Sequence, residues 1–178
     1  MISYSKKTPY FISVVCLFLA MKLMYRQTET SDLDFLLMPV NKVIKLLTGL
    51  DSIYSETDGY FFNDLQIVIG RSCSGFNLWL VCLLMLSFFT INNFNTRKGR
   101  VVGLASSLVG SYVLTILINS IRIFTSINLA TLNLSFVDID QSHIHEGVGV
   151  FTNMTFLMLT YLIIDRYLKT KNGYAQLT

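Results

Sequence analysis

The first thing this chain lacks is charge. Only 14% of its 178 residues are Asp, Glu, Lys or Arg, where soluble domains carry about 25%. With 52% hydrophobic residues and a mean hydropathy of +0.53, that shortage excludes an ordinary soluble domain and points to an integral membrane protein. The net charge of +3 gives no basis for nucleic-acid binding. Cys16, Cys73 and Cys82 are too few for a disulfide framework. His143 and His145 have no cysteine or carboxylate cluster to complete a zinc site, so no metal and no cofactor is expected. No serine-centred elbow motif is present, and there is neither an internal repeat nor a low-complexity segment.

The charges that remain are segregated. Ten of the eleven acidic residues fall in two blocks, Glu29 to Asp64 and Asp138 to Glu146. Basic residues cluster at Lys6-Lys7, at Arg97-Lys98-Arg100 and at Arg166-Lys169-Lys171. Four apolar stretches lie between them, at 9–25, 75–91, 101–129 and 147–164. With both termini cytoplasmic, all three basic clusters share one side, as the positive-inside rule requires. The loops 26–74 and 130–146 then face outward. The first stretch is short, but no small-x-small cleavage site follows it. Ser13-Val14-Val15 before Cys16 is a weak lipoprotein signal, so a retained helix with Lys22 snorkelling outward is expected.

Within the first polar interval, Leu36, Leu37, Val40, Val43, Ile44 and Leu47 recur at helical spacing, with Lys42 and Lys45 on another face. That pattern predicts an amphipathic helix over Leu33 to Leu50 lying at the membrane interface. Asp58-Gly59 is a turn signal. Tyr60 to Phe62 and Leu65 to Ile69 have strand composition on either side of Asn63-Asp64, which predicts a small hairpin. The expected fold is an all-α integral membrane protein, one membrane domain over 1–178. It has about four transmembrane helices, the interfacial helix and a small extracytoplasmic hairpin.

The hairpin leads into Gly70-Arg71-Ser72-Cys73-Ser74-Gly75 and then the apolar run Phe76 to Ile91. Cys16 and Cys82 sit inside apolar runs, where a thiol behaves as a small hydrophobe. Cys73 instead stands at the mouth of a helix, where unpaired N–H groups and the helix dipole favour a thiolate. Arg122 falls roughly 30 Å along its helix from Val101, near the outer edge of the hydrocarbon, with Asn119 one turn earlier on its face. His145 opens the last stretch from outside. A thiol, a fixed cation and a proton carrier thus reach one depth on one side, the types that nucleophilic catalysis uses. Each also has a plain reading: a buried thiol, a snorkelling arginine, a loop histidine. Ser74 as nucleophile has no supporting motif, and His143 and His145 in an extended strand would point the same way, as a metal pair does.

Cys73-Ser74-Gly75 opening a span, Asn119-Ser120-Ile121-Arg122-Ile123 closing the next, and His145-Glu146-Gly147-Val148-Gly149 opening the last resemble the signatures of exosortases and archaeosortases. Over roughly Leu50 to Ile164 the chain is similar to the compact bacterial exosortases, such as the type K group, although longer exosortases carry more spans before the cysteine. The resemblance implies a transpeptidase of the cytoplasmic membrane with its active site on the outer face. It would cleave a C-terminal sorting signal of the Pro-Glu-Pro kind on exported, membrane-anchored proteins and pass them to an envelope anchor or export route. It further implies that Cys73 forms a thioacyl intermediate, that Arg122 stabilises the thiolate or oxyanion, and that His145 protonates the leaving amine. His143 competes for that last role. Ser74, Gly75 and Asn119 would support the site, and Arg71 and Arg122 are candidate contacts for an acidic substrate motif. The implied partners are those substrates, the bilayer and a lipid or glycan acceptor. The readings from other classes are a non-enzymatic scaffold for polysaccharide or protein export and a cysteine-dependent acyltransferase.

Overall fold

A computed structural model describes 4–65, 67–94, 96–131 and 141–174, with side-chain environments for 7–65, 67–94, 96–129, 147 and 149–166. Five helices appear among these residues: α1 (Tyr4–Met24), α2 (Asp34–Thr48), α3 (Phe76–Asn93), α4 (Arg97–Thr131) and α5 (Gln141–Tyr174). Three strands lie between α2 and α3: β1 (Ile53–Ser55), β2 (Gly59–Phe62) and β3 (Ile67–Ile69). The chain is mostly helical. Three stretches, Lys7–Met24, Arg71–Asn93 and Arg97–Leu129, are long and apolar enough to cross a membrane.

Side-chain contacts fix the helix directions. Phe11 of α1 meets Phe88 near the end of α3 at 5.1 Å between ring centroids, and the Lys7 ammonium donates to the Asn92 carbonyl at 2.9 Å. Tyr25, just past α1, stacks on Phe76 at the start of α3 at 4.6 Å. α1 and α3 are therefore antiparallel. Thr90 and Ser107 share a hydrogen bond of 2.9 Å beside the α3–α4 turn, and Asn119 reaches back to Cys73 at the far end, so α3 and α4 are antiparallel too. α5 runs with α3: Gly149 lies against Arg122, and Tyr161 meets the Phe89 ring at 5.2 Å. Lys7, Arg97, Lys98, Arg100 and Arg166 consequently gather at one end of the bundle. Cys73, Arg122 and Gly149 gather at the other.

An amphipathic helix was expected over Leu33 to Leu50, and α2 covers Asp34–Thr48 with one apolar face buried. At about 22 Å it is too short to span a hydrocarbon layer of about 30 Å. Leu36, Leu37, Val40 and Ile44 are buried against α4 and the bundle end, together with Trp79, Ile123 and Ile127. Its opposite stripe exposes Phe35, Met38 and Leu46 around Lys42.

Three expectations need correction. The expected hairpin is present as β2 and β3, with Phe61 opposite Val68, but β1 extends it to a three-stranded antiparallel sheet in which Ile53, Tyr54 and Ser55 pair with Phe61, Tyr60 and Gly59. The Asp58-Gly59 signal marks the turn between β1 and β2, and β1 has too few apolar residues to announce itself. The last helix starts at Gln141, so positions 143 and 145 are helical and not in the extended segment that a metal pair assumed. The expected stretch 147–164 is the middle of this longer helix, while 101–129 lies within Arg97–Thr131. Among the described residues three stretches meet the length and hydropathy needed, and the fourth expected span is neither shown nor contradicted by them.

Candidate functional site

The site is built at the entry to α3. Arg71–Cys73 form one 3₁₀ turn, closed by the Cys73 N–H donating to the Gly70 carbonyl at 2.9 Å. Gly75 then adopts φ +73°, left-handed backbone that glycine enters without steric cost. A Cβ at Gly75 would stand 3.1 Å from the Asn119 amide and 3.3 Å from Thr115, so space as well as conformation selects glycine. Gly75 caps α3, and the Ser74 hydroxyl accepts the Phe76 N–H at 3.4 Å. Cys73 is therefore not the helix cap, and one of the N–H donors expected to serve its thiol is occupied by Ser74.

The Asn119 side chain, fully buried, donates to the Cys73 carbonyl at 2.6 Å. It ends a polar stripe on α4 with Ser107, Ser111 and Thr115, all buried and four residues apart, hence on one face. Asn119 thus ties the Cys73 turn to α4 through backbone rather than through sulfur. Cys73 is 8% exposed as a residue and packs in the core cluster that holds Phe76, Ile123 and Ile127. Ser72 Oγ lies 3.9 Å from the sulfur.

Beside this turn is a cavity of about 300 Å³, walled by Ser72, Ser74, Gly75, Asn77, Arg122 and Asn153 together with Tyr25, Phe76, Leu78, Gly149 and Val150. Cys73 is not on that wall, although both of its neighbours are. Arg122 reaches the cavity by lying across Gly149, where a Cβ would come within 2.6–2.8 Å of its guanidinium. The buried Nε of Arg122 and Oδ1 of Asn153 have no hydrogen-bond partner among the described residues. Among the described residues no acidic side chain lines the cavity.

Arg71 is exposed and points elsewhere. It donates to the carbonyls of Tyr25 at 2.8 Å and Arg26 at 3.3 Å, and its guanidinium sits 5.1 Å above the Tyr25 ring. It clamps the end of α1 to the Cys73 turn. Lys22, expected to snorkel outward, donates instead to Asn77 Oδ1 at 2.5 Å.

The side chains of His143 and His145 lie outside the described residues, but their helix positions follow from α5. Position 145 is on the stripe of Gly149 and Thr152, both buried; position 143 is on the stripe of Val150 and Met154, which are 62% and 68% exposed. Sequence reasoning missed Asn153 and Thr115. The available signal was polar residues four apart inside apolar runs.

No protein-family model, curated protein or solved structure matches the chain. The case for function therefore rests on the chemistry of this cavity.

Proposed function

We propose that the chain is an exosortase-like cysteine transpeptidase of the cytoplasmic membrane, crossing it four times with the cavity facing outward. The observation that carries this reading is Arg122: a guanidinium from α4, laid on Gly149 of α5, in a cavity walled by the two serines that flank Cys73. An arginine within a membrane helix is costly to keep, and function is its default explanation.

In the proposed reaction the Cys73 thiolate attacks the scissile carbonyl of a sorting signal. The carbon–nitrogen bond breaks as a thioester forms, and the leaving amine takes a proton from His145. Arg122 stabilises the charge on the oxyanion. An acceptor nucleophile then attacks the thioester and releases the thiol. The helical stripe shared with Gly149 supports His145 over His143 for the proton. The substrate's apolar segment lies in the bilayer beside the bundle, which orients the scissile bond before chemistry. This reaction requires the Cys73 sulfur to enter the cavity that Ser72 and Ser74 already line.

The buried sulfur favours a second reading, a non-enzymatic export scaffold in which Cys73 only packs. Intact-mass analysis of the protein, co-expressed with a sorting-signal substrate, separates the possibilities. A peptide adduct on Cys73 supports the transpeptidase and a lipid adduct supports an acyltransferase. No adduct, also in His145→Ala, supports the scaffold.

A further inference from the structure

A second cavity, of about 330 Å³, lies between α1, α3 and α4. Its wall is apolar, with Val14, Leu17, Leu83, Leu104 and Leu108 among the lining residues, and it extends from Tyr10 to Phe18 along α1, about 12 Å of helix. No residue of α1 from Lys7 to Met24 is buried, so α1 shields the groove without closing it.

The groove runs toward the basic end of the bundle. Arg100 Cζ is 5.1 Å from the ring centroid of Tyr10, which lines the groove. Arg97 and Lys98, both exposed, stand seven residues before Leu104 and Ala105 of the lining. Seven residues are nearly two turns, so each cation lies on the stripe of the lining residue below it. Lys7 adds a further positive charge on α1 beside Asn92. An apolar slot ending at a cluster of cations, within helices suited to a bilayer, is complementary to one kind of molecule.

We propose that this groove seats an acyl chain of an anionic phospholipid, whose phosphate meets Arg97 and Lys98 at the membrane surface. Basic pockets between transmembrane helices hold anionic headgroups for this reason. The proposal is independent of the chemistry at Cys73, because the cations that meet the phosphate lie at the opposite end of α3.

The test is native mass spectrometry of the full chain in detergent, supplied with equal mole fractions of palmitoyl-oleoyl phosphatidylglycerol and phosphatidylcholine. One retained phosphatidylglycerol, favoured about tenfold or more over phosphatidylcholine, is expected. Ala105→Phe fills the groove and should abolish retention of both lipids. Arg97→Gln with Lys98→Gln should remove only the preference, by about fivefold for each charge. Should Ala105→Phe fail to accumulate, Ser13→Phe fills the same groove from α1. Equal retention of the two lipids by the wild type overturns the proposal, and so does unchanged retention when the groove is filled. A groove-filling variant that changes the oligomeric mass without displacing lipid assigns the groove to a second copy and overturns it as well.

Discussion

The side-chain amide of Asn119 donates to the backbone carbonyl of Cys73 at 2.6 Å, inside the protein. This bond joins α4 to the turn that opens α3. Asn119→Ala leaves a buried carbonyl without its donor, which costs about 1–3 kcal/mol. Thermal unfolding in detergent should show the loss. Maleimide labelling of Cys73 should quicken in the same variant, because the turn is no longer held against α4. Unchanged stability and labelling would mean that the bond contributes nothing.

The contact between Arg122 and Gly149 makes a sharper claim. A methyl at 149 meets the guanidinium at 2.6–2.8 Å, whereas one at Gly147 meets nothing within 4 Å. Gly149→Ala should therefore displace Arg122 and impair processing of a co-expressed sorting-signal substrate. Gly147→Ala should be tolerated, with both variants accumulating in the membrane. Equal activity in the two would detach Arg122 from function.

Much of this architecture was legible in the sequence. Long apolar runs between basic clusters announce α1, α3 and α4, because a bilayer demands length and hydropathy and leaves few alternatives. The buried face of α2 was legible at Leu36, Leu37, Val40 and Ile44. Strand β1 was not, since Ile53-Tyr54-Ser55 is too short for periodicity to speak. The direction of the Cys73 side chain was not legible either. It depends on the 3₁₀ turn and on Gly75 taking the cap, which spacing alone does not specify. Arg71 was read as a substrate contact because its carbonyl partners at Tyr25 and Arg26 leave no mark in the sequence.

The proton carrier and the cation can be tested together. His145→Ala should lower processing by about 10²–10⁴-fold, the range that general acid–base catalysis supplies, while His143→Ala stays active. Arg122→Lys should not restore function, because an ammonium cannot reproduce a planar fork of donors. Processing rates in membranes, normalised to protein level, measure both. An essential His143 with a dispensable His145 would reverse the assignment.

Away from the apolar helices long enough to cross a membrane, Tyr60 donates to Asp34 at 2.8 Å and ties the sheet to α2. Burial first, and then the bond to the Asp34 carboxylate, push its phenol from 10.0 up to about 12. A raised value means that the folded state holds the proton more tightly than the unfolded state. The contribution is therefore complete below about pH 10 and is lost as pH rises through about 12. Hydrogen exchange in β2 should accelerate across that window in the wild type. Tyr60→Phe should already exchange faster at neutral pH and should lack that extra step. An identical pH profile in the two proteins would show that the bond does not hold the sheet.

The central claim is that Cys73 is the nucleophile, and its most direct measurement is processing of a sorting-signal substrate by single cysteine variants. Cys73→Ala, present in the membrane at the wild-type level, should leave the substrate full-length, while Cys16→Ala and Cys82→Ala cleave it normally. Normal cleavage by Cys73→Ala would contradict the account.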